Sequence, residues 1–290
     1  MSAGGDQARS GDLEHRTYLV TGASAGIGRA TSLALAARGA TVFMVGRSES
    51  RTAAARDAIA AATGSQRLHA LTVDLGDLGS VRACAEAFLS TDGPLHCLIN
   101  NAGLAGRRGV TASGFEIHFG TNHVGPFLLT ALLLDRLRAG APARIVNVAS
   151  DAHRRAAGID WDAIRRSTRT RTGFHEYGVS KLANVLHARE LSRRLDGSGV
   201  TACSLHPGVV ASDIWRRVPW PIRPLMKARM LTPEQGAQTS LHCATAPGPA
   251  CEGGLYYERS RPREPSPVVT DALAAELWER SEGWVGAGAS

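Results

Sequence analysis

The chain predicts an α/β protein: a single domain on a doubly wound parallel sheet of about seven strands, with helices on both faces. Three observations lead there. Short apolar runs alternate with segments of helical spacing along most of the chain. The first run, Tyr18-Leu19-Val20, opens directly into a glycine-rich turn. Two later runs end in small polar groups, at Asn100-Asn101-Ala102-Gly103 and at Ser150. A pattern of this kind gathers ligands at the C-terminal ends of the strands.

In order, residues 1–14 are polar and read as a flexible leader. After the first strand, Ile27 to Ala37 has helical spacing and stops at Gly39. Thr41 to Val45 is strand-like, and an alanine-rich helix follows from about Ser50 to Ala62. Leu68 to Val73 is again strand-like, and Val81 to Leu89 helical. Leu95 to Ile99 is a strand, a long helix fits Gly114 to Arg138, and Arg144 to Val148 is the next strand. Lys181 to Leu195 reads as helix, Val200 to Leu205 as strand, Pro233 to Thr245 as helix and Gly254 to Tyr257 as the last strand. One domain is read over 15–282, with a flexible tail over 283–290 and no internal repeat. The stretch from Ala211 to Leu231 is apolar yet broken by prolines, with Trp215, Trp220, Ile222 and Leu225. It reads as a mobile flap over a pocket.

Composition narrows the class. At 290 residues, with 43% hydrophobic and 20% charged residues, the chain can bury a full core. The net charge of +7 and a pI near 9.6 raise nucleic acid as a partner. The arginines are scattered, however, and aromatics make up only 5%, so no aromatic-basic platform is expected. The five cysteines form no CxxC pair and no disulfide framework. His118 and His123 stand five apart and are read as having no acidic companion, and no metal site is read. No apolar run is long enough for a membrane span and no signal core precedes the domain. The expectation is a reduced, cytoplasmic protein.

Two stretches carry chemistry. In Tyr177-Gly178-Val179-Ser180-Lys181 a helix would set the phenol and the ammonium on one face. The charge beside it would draw the phenol's pKa down, giving a proton donor to a carbonyl or a base towards an alcohol. Lys181 is one of two lysines in an arginine-rich chain, the other being Lys227. The second stretch is Thr21-Gly22-Ala23-Ser24-Ala25-Gly26-Ile27-Gly28, between a strand and a helix, where glycines and a helix N-terminus admit a pyrophosphate. Its spacing is GxxxGxG.

Together with Asn101-Ala102-Gly103, Ser150 and His206-Pro207-Gly208, these stretches make the chain resemble the short-chain dehydrogenase/reductase family over about residues 16–260. The nearest branch is retinol-dehydrogenase-like, on Thr121-Asn122-His123-Val124-Gly125-Pro126-Phe127, Arg144-Ile145-Val146-Asn147-Val148-Ala149-Ser150 and Lys181-Leu182-Ala183-Asn184. The resemblance implies a Rossmann-type fold and hydride transfer between a nicotinamide cofactor and a carbonyl or alcohol. Ser150 would hold the substrate oxygen near Tyr177, the acid or base. Lys181 would bind ribose hydroxyls and tune Tyr177, and Asn122 would hold a water linking Lys181 to solvent. Cofactor contacts implied are Gly22, Ser24, Ala25, Gly26, Ile27 and Gly28 in the turn, Asp74 and Leu75 at the adenine, Asn101, Ala102 and Gly103, Tyr177 and Lys181, and Pro207, Gly208, Val210 and Ser212.

Cofactor choice is read from Val45-Gly46-Arg47-Ser48. An acidic residue there would pair with the ribose 2′-hydroxyl; Gly46 offers none, whereas Arg47 and Ser48 suit a 2′-phosphate. NADP(H) is therefore preferred over NAD(H). Two departures from the family pattern stand out: Ala149 replaces the first serine of a common pair, and no apolar N-terminal anchor of the kind found in many retinol-dehydrogenase relatives is expected. The expectation is a soluble bacterial carbonyl reductase for a bulky apolar ketone or aldehyde, paired as a homodimer or homotetramer through the long helix and the Tyr177 helix. A catalytically silent nucleotide sensor on the same fold is the alternative. Arg154, Arg155, Arg165, Arg166, Arg169 and Arg171 would flank the active-site mouth and meet an acidic substrate or carrier, or else form a solvated loop.

Overall fold

The computed structural model describes residues 11–210, 230–247 and 252–286. Seven strands run parallel: β1 (Thr17–Thr21), β2 (Thr41–Gly46), β3 (Leu68–Thr72), β4 (Cys97–Asn100), β5 (Ala143–Val148), β6 (Val200–His206) and β7 (Tyr256–Glu258). An eighth, β8 (Arg261–Arg263), adds antiparallel at the edge, so the order is β3-β2-β1-β4-β5-β6-β7-β8. The order reverses between β1 and β4, where the chain must open a crevice at the strand ends.

The central strands are apolar on both faces because both are covered. Leu19, Phe43 and Val45 point into one core, while Tyr18, Val20, Val42 and Met44 point into the other, the two-residue alternation of a pleated strand. Helices α1 (Gly26–Ala37), α2 (Glu49–Thr63) and α6 (Pro233–Thr245) cover the second face. Helices α3 (Leu78–Leu89), α4 (Gly125–Ala139), α5 (Phe174–Arg194) and α7 (Asp271–Val285) cover the first.

Three elements differ from the sequence expectation. The long helix over 114–138 is not continuous: a helical turn at Ile117–Phe119 passes through a π turn at Gly120–Val124 before α4 begins. β8 was not legible, since Arg261-Pro262-Arg263 is wholly exposed and carries no apolar alternation. Its hairpin turn also lacks the usual glycine, with Arg259 and Ser260 at φ of 51° and 59°. α7 is the largest omission, although its signals are present: Thr270 caps Leu273 N, and Ala274, Leu277, Ser281 and Val285 are buried at helical spacing.

Both boundaries drawn for the domain fall within packed structure. α7 runs through Gly283, and ahead of residue 15 Leu13 is buried while Asp12 pairs with Arg38 at 2.6 Å. Ser212 and the apolar residues Trp215, Trp220, Ile222 and Leu225 lie outside the described residues. Residues flanking them are joined, with Leu231 N donating to Val209 O at 2.9 Å.

Candidate active site

The glycine-rich turn joins β1 to α1 with Gly22 at φ +68°. A side chain on Gly28 would put its Cβ 2.4 Å from Gly22 O, so the turn can close only with hydrogen there. Two bonds stitch it to the end of β4: Asn101 Nδ2 donates to Thr21 O at 2.7 Å, and Ala102 N donates to Thr21 Oγ1 at 3.0 Å. Thr21 is a site residue the sequence reading passed over. Ala25 sits at the N-cap of α1 in extended conformation without a side-chain cap, leaving the first amides of the helix facing the crevice.

At the end of β2, Gly46 leaves room for Thr52 Oγ1, which a Cβ would approach to 2.4 Å, and Ser24 Oγ lies 3.6 Å from the same point. Ser48 caps α2 through Arg51 N, and Arg47 is exposed. Arg47 thus follows the end of β2, and a helix N-terminus stands next in the chain. The residues fit a dinucleotide. Asp74 is exposed, with Oδ1 accepting from Gly76 N at 2.9 Å. The Leu75 side chain is buried in the core, so only its backbone is available to a ligand. Ile27 packs near Gly236 of α6. Gly208 (φ +87°) lies against Leu231, and buried Val210 pairs with Leu231.

The four proposed catalytic residues come together from three elements. Ser150 ends β5 and starts a 3-10 turn, Asp151–Arg155, its hydroxyl accepting from Ala152 N at 3.2 Å. Tyr177 and Lys181 share one face of α5, with the Lys181 Nζ 5.7 Å from the Tyr177 ring centroid. Lys181 Nζ donates to Val148 O at 2.8 Å, and Asn184 Nδ2 reaches the same carbonyl at 3.4 Å. A Cβ on Gly103 would lie 3.2 Å from Lys181 Nζ and 3.5 Å from Asn122 Oδ1. Gly103 therefore opens the space between these two groups.

Asn122 lies in the π turn, a local distortion that recurs at functional sites. Its amide is engaged by neighbouring chain: Nδ2 donates to Leu104 O and to the Ser180 hydroxyl, and Oδ1 accepts from Leu104 N at 2.9 Å. It fixes the segment after Gly103 against the helix carrying Tyr177.

The electrostatics correct one expectation. Burial raises the Tyr177 phenol above its ordinary value, and the hydrogen bond with Ser150 works in the opposite, smaller sense. Burial also lowers Lys181 to about 8, so the ammonium is itself disfavoured, and the net shift of the phenol is upward rather than downward as the sequence suggested. Desolvation outweighs the neighbouring charge. A second correction concerns His118. It has an acidic companion, for its Nδ1 lies 2.8 Å from buried Glu116 Oε1, and its ring stands 6.4 Å from that of Tyr177.

The arginines between Ser150 and Tyr177 are all exposed and divide among different tasks. Arg154 pairs with Asp151 at 2.9 Å and Arg165 lies 3.9 Å over the Phe115 ring. Arg169 borders a cavity of about 700 Å³ lined by Phe119, Ile159, Ile164 and Val179. Val179 and His175 lie across α5 from Tyr177, and neither Ser150, Tyr177 nor Lys181 lines that cavity. No helix among the described residues is long and apolar enough to cross a membrane.

Comparison with known proteins accords with this geometry. Residues 16–161 match the family model described as short chain dehydrogenase. Human retinol dehydrogenase 12 is 42% identical over 287 residues, covering 96% of this chain and 89% of the relative. Among solved structures, a protein from Mycobacterium paratuberculosis described as putative and uncharacterized superposes with a TM-score of 0.75 at 31% identity, covering 96% of this chain and 98% of that one. The Pseudomonas aeruginosa RhlG/NADP active-site complex superposes with a TM-score of 0.66 at 28% identity, covering 81% and 91%.

Proposed function

This chain belongs to the short chain dehydrogenase family, as an oxidoreductase of the retinol-dehydrogenase-like kind, and on that premise we propose that it is an NADP(H)-dependent reductase of a bulky apolar ketone or aldehyde, working by Ser150, Tyr177, Lys181 and Asn122. The observation that carries the reading is the convergence of Ser150 and Lys181 on Tyr177 at the strand ends, beside a turn that excludes every side chain from Gly28. When bound, the nicotinamide supplies or accepts the hydride.

Within that scheme Ser150 Oγ holds the substrate oxygen and Tyr177 gives it a proton in reduction. Burial keeps the phenol protonated, the form reduction needs and the reverse reaction does not. Lys181, at about 8, can take up or release a proton near working pH. The lysine can thus re-protonate Tyr177 after turnover, and Asn122 holds the chain segment beside which that proton leaves. Gly22, Ser24 to Gly28, Asn101 to Gly103, and Pro207 to Val210 border the crevice for the dinucleotide.

The preference for NADP(H) rests on Arg47 and Ser48 at the end of β2, with no carboxylate at position 46. The NADP complex of a structural neighbour supports a phosphate-bearing cofactor. The substrate class rests on the composition of 211–231, and retinoids belong among the test substrates because of the named relative. A cytoplasmic location and a homodimer or homotetramer complete the proposal. α7 packs along α5 and the π turn, with Trp278 5.9 Å from His187 and Ser281 3.0 Å from His123, so α7 covers part of the face expected to pair. Tyr177→Phe tests the scheme: it should fold and bind NADPH while losing most turnover, and a wild-type kcat in that variant refutes Tyr177 as the acid.

A further inference from the structure

We propose that His153 is a positioning residue for Ser150. His153 lies in the 3-10 turn that follows Ser150 and is completely buried. Both ring nitrogens are engaged. Nε2 receives the amide of Ser266 at 3.0 Å, and Nδ1 lies 2.7 Å from Ser150 O. A backbone amide can only donate, so Nε2 carries the lone pair and the proton sits on Nδ1, donating to the Ser150 carbonyl. The hydrogen-bond geometry therefore selects one neutral tautomer. Burial, the main influence on the ring, also favours the neutral form.

The segment from 256 to 266 holds this turn at several points. The His153 ring packs 4.8 Å from that of Tyr256, and Arg154 Nη2 donates to Glu264 O at 2.6 Å while Arg154 Nε pairs with Asp151. The charged and titratable neighbours of the ring are Asp151, Arg154 and His206. The consequence reaches Ser150 directly. Its hydroxyl is oriented by Ala152 N of the same turn, and its carbonyl is held by His153 through both the backbone amide and the ring. The turn fixes the hydroxyl, and His153 fixes the turn. No step of the proposed reaction uses the imidazole itself, so a fully buried imidazole here is accounted for by this clamp.

The inference rests on the reading of Ser150 and Tyr177 as the reacting pair, and two amide variants separate it from a merely structural role. An asparagine amide falls where Nδ1 lies and a glutamine amide where Nε2 lies. His153→Asn thus keeps the donor to Ser150 O and loses Ser266; His153→Gln keeps Ser266 and releases Ser150. Expected is a kcat within about threefold of wild type for H153N and about 10–100-fold lower for H153Q, the scale of a small misplacement of a reacting group. KM and NADPH affinity should stay near wild type in both, and both should melt at similar temperatures. Equal losses of kcat in the two variants, or losses that follow melting temperature, would overturn the proposal. Crystal structures of the variants decide it without substrate: Ser150 Oγ stays within hydrogen-bonding distance of the Tyr177 hydroxyl in H153N and leaves it in H153Q. If wild type reduces no carbonyl, the proposed function fails while this structural comparison still stands. An unmoved Ser150 in H153Q refutes the positioning role.

Discussion

Replacing Lys181 with methionine should stabilise the free protein while abolishing turnover. Lys181 is 3% exposed, and its described partners are the Val148 carbonyl at 2.8 Å and the face of the Tyr177 ring. Burial lowers it from its ordinary 10.5 to about 8; at about 1.4 kcal/mol per pKa unit this penalises the charged form by roughly 3 kcal/mol. The folded state binds fewer protons than the unfolded between those values. Stability therefore rises with pH through that window, and the penalty is fully present at neutral pH. Against this relief stands the lost bond to Val148 O, about 1.5 kcal/mol for a charged donor, part of which Asn184 can replace. The net gain for Lys181→Met near pH 7 is about 1–2 kcal/mol, or roughly 2–6 °C in Tm for a chain of this size. Thermal unfolding without nucleotide, followed by circular dichroism near neutral pH and near pH 10, measures it. The advantage of the variant should shrink at the higher pH. A variant that melts below wild type at neutral pH, or an advantage independent of pH, would refute the reasoning.

Other outcomes are equally concrete. Arg47→Ala should raise KM for NADPH about tenfold, the loss of one charge-assisted phosphate contact, and leave KM for NADH within error; parallel steady-state kinetics decide it. Leu277→Ala, in a helix with Leu277 only 1% exposed, should cost about 2–5 kcal/mol by chemical denaturation, because α7 is part of the core. Burial lowers His187 to about 3, so its neutral form is the stable one and stability should fall as pH drops below about 6.5. His187→Phe should flatten that acid dependence, as Tm measured from neutral pH to about pH 4 would report.

The legible parts of the chain were those where local chemistry and tertiary structure agree. The strand, glycine turn and helix from Tyr18 to Ala37 could be read because Gly22 and Gly28 answer to backbone geometry, which sequence spacing encodes. Tyr177 and Lys181 could be paired because helical periodicity alone puts them on one face. What depended on burial could not be read. The pKa shifts of Tyr177 and Lys181 oppose the simple charge argument because desolvation is set by residues far away in sequence. The partnership of His153 with Ser266 spans 113 positions, and neither residue signals the other. The companion of His118 was only two positions away, at Glu116, but nothing in the spacing shows that both side chains are buried. β8 was hidden for another reason: an exposed edge strand of Arg-Pro-Arg has no apolar face to announce it.

The central claim is best tested by following loss of NADPH absorbance, with NADH in parallel, against carbonyls from small and polar to long and apolar, retinal included. The account predicts turnover with NADPH on the bulky apolar members, weaker turnover with NADH, and almost none in Tyr177→Phe. Tight NADPH binding with no turnover on any member would contradict it and point to a protein that senses the nucleotide instead of using it.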